Sequence, residues 1–127
     1  MRYLLDTNVI VFMLSAPGEL SAEAARVVRK EPDLFASVAS LWEIGIKQSL
    51  GKLHIEMSVP EIEEECIRRD ICILPIRSSA IERVKSLPPI HRDPFDRLLI
   101  AQALEDGMAI VTRDGTIPRY PIQTIWY

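Results

Sequence analysis

The sequence alternates short apolar runs with helical patterns, and this alternation restricts its fold more than any other feature. Largely apolar runs predict five strands, at 2–5, 33–38, 71–76, 108–112 and 122–127. The runs do not alternate regularly between apolar and polar residues, which is typical of strands buried on both faces of a sheet. Because helical segments separate the strands, we predict a three-layer α/β/α fold. Its central, mostly parallel sheet would have four to five short strands.

Several helical segments are bounded by residues that commonly start and stop helices. Ser40 would begin one helix, which Gly51 would end. Asp93 and Pro94 would begin another, which Gly107 would follow. The other helices are predicted at 7–14, 21–30, 60–70 and 78–87, and the helix capped by Asp93 would span 94–106.

Length and composition predict a single domain over 1–127. The chain is long enough for one hydrophobic core, with 48% hydrophobic and 26% charged residues. Cys66 and Cys72 have neither a C-x-x-C nor a metal-finger spacing, so a reducing compartment fits best. Asp6 and Asn8 interrupt the N-terminal apolar run, unlike in a signal peptide, and no stretch approaches the ~20 apolar residues of a membrane span. We therefore expect a cytoplasmic protein.

Acidic residues fall near the predicted carboxyl ends of strands or in the first turn of a helix: Asp6, Glu43, Asp96 and Asp114. Parallel α/β sheets bind ligands at the carboxyl ends of their strands, so four acids from four segments are expected to meet at one edge of the sheet. Local explanations also exist. Asp6 and Asp114 could each belong to a simple turn. Glu43 could form a capping box with Ser40, which would leave it no part in a site.

Asp96 is the acid that local structure explains least well. Asp93 already provides the N-cap of the predicted helix, and Pro94 fits its first position. Asp96 shares a helix face with Ile100 and Ala103, and the neighbouring positions are also apolar. A carboxylate on a largely buried helix needs a partner. We therefore interpret Asp93 as the cap and Asp96 as part of a site, with a cation from outside the chain as its candidate partner.

The residue types favour a hard cation in such a site. Crowded carboxylates repel one another unless a cation binds them, and oxygen ligands suit Mg²⁺ or Mn²⁺. His54 and His91 are too few for a typical zinc site, and the H-E-x-x-H motif is absent. The chain also lacks the G-x-x-x-x-G-K-[ST] and G-x-G-x-x-G patterns of nucleotide-binding sites.

The chain resembles the PIN-domain ribonucleases, and most closely the VapC-type toxins of bacterial and archaeal type II toxin–antitoxin pairs. The segments that carry this resemblance are LLDTNV at 4–9, SLWEI at 40–44, DPFDRLLIAQA at 93–103 and IVTRD at 110–114. They cover nearly the whole chain in the order expected of the family, and DPFDRLLIAQA is the most specific. The resemblance implies a PIN-like fold over the single domain.

The resemblance also implies a function and a set of site residues. In that family a catalytic Mg²⁺ or Mn²⁺ site is formed by acids that match Asp6, Glu43, Asp96 and Asp114. The polar residues that support the site match Asn8, Ser40 and Thr112. The implied reaction is endonucleolytic hydrolysis of RNA, in which the metal polarises the phosphate and lowers the pKa of a bound water. The implied partners are an RNA substrate, a small antitoxin protein that covers the site, and a second copy of the chain in a homodimer.

The formal net charge of −3 looks unfavourable for an RNA-binding protein. Without the four candidate acids, however, 14 acidic residues stand against 15 basic ones. A bound metal ion would also reverse the sign of the pocket. Basic residues that flank the motifs are candidates for phosphate contacts: Lys47, Arg92, Arg97 and Arg113. Ordinary solvated charge explains any one of them about equally well.

Two other classes of function remain as alternatives. A phosphotransfer domain would need an acidic pair after the first strand and a lysine near the last, and a phosphatase of the haloacid-dehalogenase type would need D-x-D. Here Asp6 is followed by Thr7 and Asn8, and no lysine follows Lys85. A non-catalytic PIN-like binding module is the other alternative, and the presence of all four acids argues against it. Metal-dependent cleavage of RNA would separate these classes.

Overall fold

Five parallel strands form one sheet in the computed structural model, which describes residues 1–127. The strands are β1 (Tyr3–Leu5), β2 (Leu34–Ser37), β3 (Ile71–Leu74), β4 (Ala109–Val111) and β5 (Thr124–Ile125). Their order is β3-β2-β1-β4-β5, and all neighbours are parallel. The predicted α/β class and parallel sheet are therefore confirmed, although all five strands are shorter than the apolar runs that predicted them.

Six α-helices connect and cover the strands. They are α1 (Thr7–Ser15), α2 (Ala22–Lys30), α3 (Val38–Ser49), α4 (Val59–Arg68), α5 (Ser78–Lys85) and α6 (Pro94–Asp106). Two short 3₁₀ turns, at Pro17–Glu19 and Ile117–Arg119, were not predicted from the sequence. None of the helices is both long enough and apolar enough to cross a membrane.

The two faces of the sheet bury separate apolar clusters. Successive strand residues point to opposite faces, so Leu5 packs in one cluster and Leu4 in the other. Helices α1 to α4 contribute to the first cluster, while α6 covers the second face and α5 packs against α6. This arrangement gives the predicted three layers, and it leaves the carboxyl ends of the strands at one edge.

The caps of the helices are partly as predicted. Asp93 caps α6, accepting hydrogen bonds from the amides of its first turn, and Gly107 follows α6 with a positive φ of 65°, so both predictions are confirmed. The predicted start at Ser40 is wrong, because α3 begins at Val38 and is capped by Ser37. The capping box of Ser40 with Glu43 is therefore absent, and Ser40 lies inside the first turn.

The strand order places a crevice beside the central strand. The chain runs from β1 to β2 and β3 on one side, and then crosses to β4 on the other. The carboxyl ends of β1 and β4 lie at the same level, because Leu5 pairs with Val111. Ligands of open α/β sheets bind where the strand order reverses in this way. The residues that follow β1 and β4 are Asp6 and Thr112.

Candidate metal centre

Asp6 lies directly after β1 and is only 4% exposed. Its Oδ1 accepts a hydrogen bond from the amide of Thr7 at 2.7 Å, and its Oδ2 accepts one from the Thr112 hydroxyl at 2.7 Å. Burial, with a smaller contribution from the negative charges of Glu43 and Asp114, raises the pKa of Asp6 to about 6. The two hydrogen bonds lower the pKa without offsetting the burial. The carboxylate is therefore fixed in orientation but costly to ionise without a cation.

Asp96 lies in the first turn of α6, and its side chain is 14% exposed. Burial, together with the nearby charges of other acids, raises its pKa to about 8. These acids are Asp6, Asp93, Glu43 and Asp114. The fold has thus brought together the four acids predicted from the sequence. Asp6 and Asp114 come from the ends of β1 and β4, and Glu43 and Asp96 come from helices α3 and α6. Such crowding of carboxylates in a partly buried place favours the binding of a cation.

Glu43 lies in the second turn of α3, where its side chain is 7% exposed. Its Oε2 pairs with the Lys47 ammonium group at 2.8 Å. Its Oε1 is fully buried and has no hydrogen-bond partner. A buried carboxylate oxygen without a partner costs free energy, so Glu43 lacks one contact that a bound cation would supply.

Asp114 follows β4 by three residues and precedes the 3₁₀ turn of Ile117–Arg119. Its Oδ1 accepts from the amides of Thr116 at 2.6 Å and Ile117 at 3.0 Å. Its Oδ2 lies 3.1 Å from Nε2 of His91. Burial raises the pKa of Asp114, but the hydrogen bonds from His91 and the two amides bring it below its usual value. Both oxygens of Asp114 therefore already have partners within the chain.

Hydroxyl groups of neighbouring residues form hydrogen bonds around the acids. The Thr112 hydroxyl donates to Asp6 and accepts from the amide of Asp114 at 2.9 Å. The Thr7 hydroxyl donates to the buried Ser40 hydroxyl at 2.9 Å. Asn8 is exposed on α1, and the structure shows no hydrogen bond from its side chain, so its supporting role stays a prediction. Thr7 takes that place in the network, although it was not among the residues predicted from the sequence.

His91 also belongs to the cluster, and the sequence did not predict it there. Its Nε2 lies 3.0 Å from Oδ2 of Asp96 and 3.1 Å from Oδ2 of Asp114. The three ligand-type atoms lie within 4.8 Å of one another. His91 precedes α6 in a loop, and a lone histidine has no spacing that would distinguish this position. The nearby acids in the sequence were the available signal, but the contact with Asp114 depends on the fold.

Three of the basic residues predicted to contact phosphates lie on the surface around this edge. Lys47 and Arg92 line a pocket of about 420 Å³ that also includes Glu43, Lys52 and Phe95. Lys47 pairs with Glu43, whereas Lys52 and Arg92 form no ion pair in the structure. The guanidinium group of Arg113 lies 4.7 Å from the centre of the Phe12 ring and 3.6 Å from Glu19.

Arg97 points away from the acids and has a structural role. Its guanidinium group donates to the carbonyl oxygens of Val84 and Pro88, both at 3.0 Å, and of Leu87 at 3.4 Å. It also lies 3.3 Å from the Tyr120 hydroxyl. The donors of Arg97 are thus engaged with the segment between α5 and α6, and they do not face the pocket beside Glu43.

The family model named PIN domain matches residues 3–123, nearly the whole chain. The chain belongs to the PIN domain family. This membership confirms the resemblance predicted from the four sequence segments.

Proteins similar to this PIN domain include a ribonuclease and solved structures of a toxin and of a toxin–antitoxin complex. Ribonuclease VapC22 of Mycobacterium tuberculosis is 26% identical over 129 residues, which cover 97% of each chain. The VapBC2 structure from Rickettsia felis, bound to a promoter DNA fragment, has a TM-score of 0.72 at 15% identity over the full length of both chains. VapC20 of Mycobacterium tuberculosis, a toxin that cleaves the sarcin–ricin loop, has a TM-score of 0.71 at 14% identity, covering 98% of this chain and 99% of its own. At these identities, the two structures establish the likeness of the fold.

The acidic site of this PIN domain suits a hard divalent cation. Carboxylate oxygens of the kind that Mg²⁺ and Mn²⁺ prefer are supplied by three separate elements, through Asp6, Glu43 and Asp96. The unpartnered Oε1 of Glu43 is an independent sign that a cation is expected there. Burial and the neighbouring acids raise the pKa values of Asp6 and Asp96, and a bound cation would offset both effects by favouring the charged carboxylates.

Proposed function

We propose that this PIN domain is a Mg²⁺- or Mn²⁺-dependent endoribonuclease and the toxin of a toxin–antitoxin pair. The observation that carries the proposal is the acid cluster, in which the pKa of Asp96 is raised to about 8 and an oxygen of Glu43 has no partner. The likeness to Ribonuclease VapC22 over 97% of the chain supports RNA as the substrate.

Asp6, Glu43 and Asp96 would hold the metal ion, and Asp114 completes the acidic site. A bound ion of this kind would supply Lewis-acid activation of the phosphate and of a water molecule. Asp6 is preorganised for this role, because the Thr7 amide and the Thr112 hydroxyl fix its carboxylate. Each oxygen of Asp6 accepts one hydrogen bond in the structure, which leaves further acceptor capacity for a cation.

The basic pocket next to Glu43 would bind the RNA backbone. Lys47, Lys52 and Arg92 bring three positive side chains to one pocket, and two of them have no acidic partner. Contacts with phosphates position a nucleic acid independently of its sequence. Phe95 lines the same pocket and offers an aromatic face on which a nucleobase could stack. These three positive side chains would partly offset the negative charge of the neighbouring acids where the RNA backbone binds.

A small antitoxin is the proposed protein partner. Structures with the same fold include the VapBC complex from Salmonella typhimurium and the FitAB complex, both with bound DNA. By analogy, the partner of this chain would cover the acidic site and block access of RNA. The family resemblance also leads us to propose a homodimer, which light scattering at micromolar concentrations would detect.

Comparison of two neighbouring acids tests the proposed function. Asp96→Asn should abolish Mg²⁺-dependent cleavage of RNA, because the amide carries no charge and is a poorer ligand for a hard cation. Asp93→Ser is the matched control, since serine is also a good N-cap, and it should retain most of the cleavage. Melting curves would establish that both variants fold. Cleavage by Asp96→Asn at the rate of the unsubstituted protein would rule out the proposed site.

A further inference from the structure

We propose that His91 and Asp114 form a pair that positions the carboxylate of Asp96, and that Asp114 acts through His91 instead of binding the ion. The inference rests on the proposed metal site and gives it a more specific composition. Asp6, Glu43 and Asp96 would contact the ion, while His91 and Asp114 would hold Asp96 from behind. The hydrogen bonds around His91 are the observations that support this pair.

The hydrogen bonds of His91 assign its tautomer. Nδ1 accepts a hydrogen bond from the amide of Asp93 at 3.1 Å, so this nitrogen carries no hydrogen. The ring hydrogen therefore lies on Nε2, which donates to Oδ2 of Asp114 at 3.1 Å. The same nitrogen lies 3.0 Å from Oδ2 of Asp96. One N–H group is thus placed between two carboxylates.

This tautomer argues against His91 as a metal ligand. A histidine that binds a metal needs a free electron pair on the binding nitrogen, and its other nitrogen usually donates to a carbonyl or carboxylate. In His91 the arrangement is reversed, because Nδ1 faces the amide donor of Asp93 and Nε2 bears the hydrogen. The N–H group of His91 donates to Asp114 and lies against Oδ2 of Asp96, so it can restrain the Asp96 side chain but has no electron pair to offer a cation.

The contacts of Asp114 suit an anchoring role. Its Oδ1 is occupied by the amides of Thr116 and Ile117, and its Oδ2 by His91. By contrast, Glu43 has an oxygen with no partner at all. The structure thus distinguishes Glu43, which has an oxygen without a partner, from Asp114, whose Oδ1 accepts two amide hydrogen bonds and whose Oδ2 faces the ring N–H group of His91.

The backbone of His91 is held as firmly as its ring. The Tyr120 hydroxyl accepts hydrogen bonds from the amides of Ile90 at 3.2 Å and His91 at 2.8 Å. It donates to the carbonyl oxygen of Pro88 at 2.8 Å. Arg97 donates to the same carbonyl oxygen at 3.0 Å. Tyr120 is buried, so the loop that carries His91 is attached to the core and not free to move the ring away.

The positioning pair would leave one oxygen of Asp96 for the metal ion. With Oδ2 of Asp96 against the His91 ring, Oδ1 is the oxygen left for an ion. Holding a ligand side chain in one orientation lowers the entropy lost when the metal binds. Partners of this kind typically change metal affinity by about 10–100-fold.

Calorimetric titration of the metal-stripped protein with Mn²⁺ tests the pair. His91→Ala should raise the Kd for Mn²⁺ by about 10–100-fold. His91→Gln should restore affinity to within a few-fold, because its side-chain amide places N–H donors near the position of Nε2. His54→Ala is the control, since His54 is exposed and outside the cluster, and its affinity should be unchanged. Melting curves would establish the folding of each variant.

A double-mutant cycle tests whether Asp114 acts through His91. Asp114→Asn should weaken Mn²⁺ binding in the unsubstituted protein but have little further effect in His91→Ala, because the two residues act as one unit. Additive losses would instead make Asp114 an independent ligand and overturn the proposal. Equal Kd values for the unsubstituted protein and His91→Ala would overturn it too.

Electron paramagnetic resonance of bound Mn²⁺ gives a second, structural measurement. The proposal predicts no strong coupling from a directly bound imidazole nitrogen. Such a coupling, present in the unsubstituted protein and lost in His91→Gln, would overturn the positioning role and make His91 a ligand. Absence of any Mn²⁺ binding by the unsubstituted protein would reject the metal site itself, an outcome distinct from failure of the His91 pair alone.

Discussion

Glu43 has a buried carboxylate oxygen without a hydrogen-bond partner, and its other oxygen pairs with Lys47. We predict that Glu43→Gln leaves the metal-free protein as stable as before to within about 1 kcal/mol. Loss of the half-exposed ion pair costs little, and burying a neutral amide is less costly than burying a charge. Cleavage of RNA with Mg²⁺ should fall by at least about tenfold, an activation cost of about 1.4 kcal/mol. Thermal melts in EDTA and cleavage rates with Mg²⁺ measure the two effects.

Ser37→Ala is the control for Glu43→Gln on the same helix. Ser37 caps α3, and its hydroxyl donates to Gln102 at 2.6 Å. Its removal should lower the free energy of unfolding by about 0.5–2 kcal/mol, with a smaller loss of cleavage than in Glu43→Gln. If Glu43→Gln cleaved RNA as fast as the unsubstituted protein, Glu43 would have no part in the site.

Arg92 and Arg97 lie on either side of the start of α6. The sequence made them equal candidates for phosphate contacts, but the structure gives them different surroundings. Arg97→Ala should lower the free energy of unfolding by about 1–3 kcal/mol, because it leaves the carbonyl groups of Val84 and Pro88 without their charged donor. Arg92 is exposed, so Arg92→Ala should change stability by less than about 0.5 kcal/mol. Arg92→Ala should weaken RNA binding instead.

Urea unfolding and filter binding of RNA, both in an Asp96→Asn background that does not cleave, would measure these two effects. The opposite result, with Arg97→Ala fully stable but poor in RNA binding, would contradict the structural role of Arg97.

The sequence predicted a helix boundary correctly where the residues that fix it are adjacent in the chain. The cap of α6 by Asp93 and the position of Gly107 after it follow from residue types at adjacent positions. The start of α3 did not, because S-x-x-E occurs three times and forms a capping box only at Ser58 and Glu61. The true cap, Ser37, is also the last residue of β2, and its side chain bonds to Gln102, 65 residues away. Which serine caps α3 therefore depends on contacts that exist only in the folded protein.

The gathering of the acids at one edge of the sheet was predictable for a related reason. Strand ends can be located from apolar runs, and parallel strands bring their carboxyl ends to one edge, so Asp6 and Asp114 could be assigned to one edge of the sheet. His91 and Arg97 could not be assigned, because their roles depend on Tyr120, which reaches them from a distant part of the chain. A single side chain with long-range partners leaves no local pattern in the sequence.

The acid cluster should also affect the pH dependence of the whole molecule. The pKa of Asp96 is raised to about 8 and that of Asp6 to about 6, whereas an unfolded aspartate titrates near pH 3.9. Between these values the folded protein binds more protons than the unfolded chain. The stabilising contribution is complete below about pH 4 and is lost as the pH rises through the folded-state pKa values.

In EDTA, the contribution of these groups should therefore make the melting temperature fall from about pH 5 to about pH 8. Asp96→Asn should flatten this slope, because its side chain does not titrate. Mn²⁺ should stabilise the protein more as the pH rises, since the ion competes with protons for the same oxygens. Melts at several pH values would measure the slope, and an identical slope in Asp96→Asn would contradict the assignment to Asp96.

The most direct test of the whole account is metal removal and return with the unsubstituted protein. The four acids come from separate segments, and the fold gathers them where strand order reverses. If they form a metal site for RNA hydrolysis, the protein in excess EDTA should leave RNA uncut. Adding Mg²⁺ or Mn²⁺ in excess over the chelator should restore cleavage by the same sample. Cleavage that continues in EDTA at an undiminished rate would contradict the account.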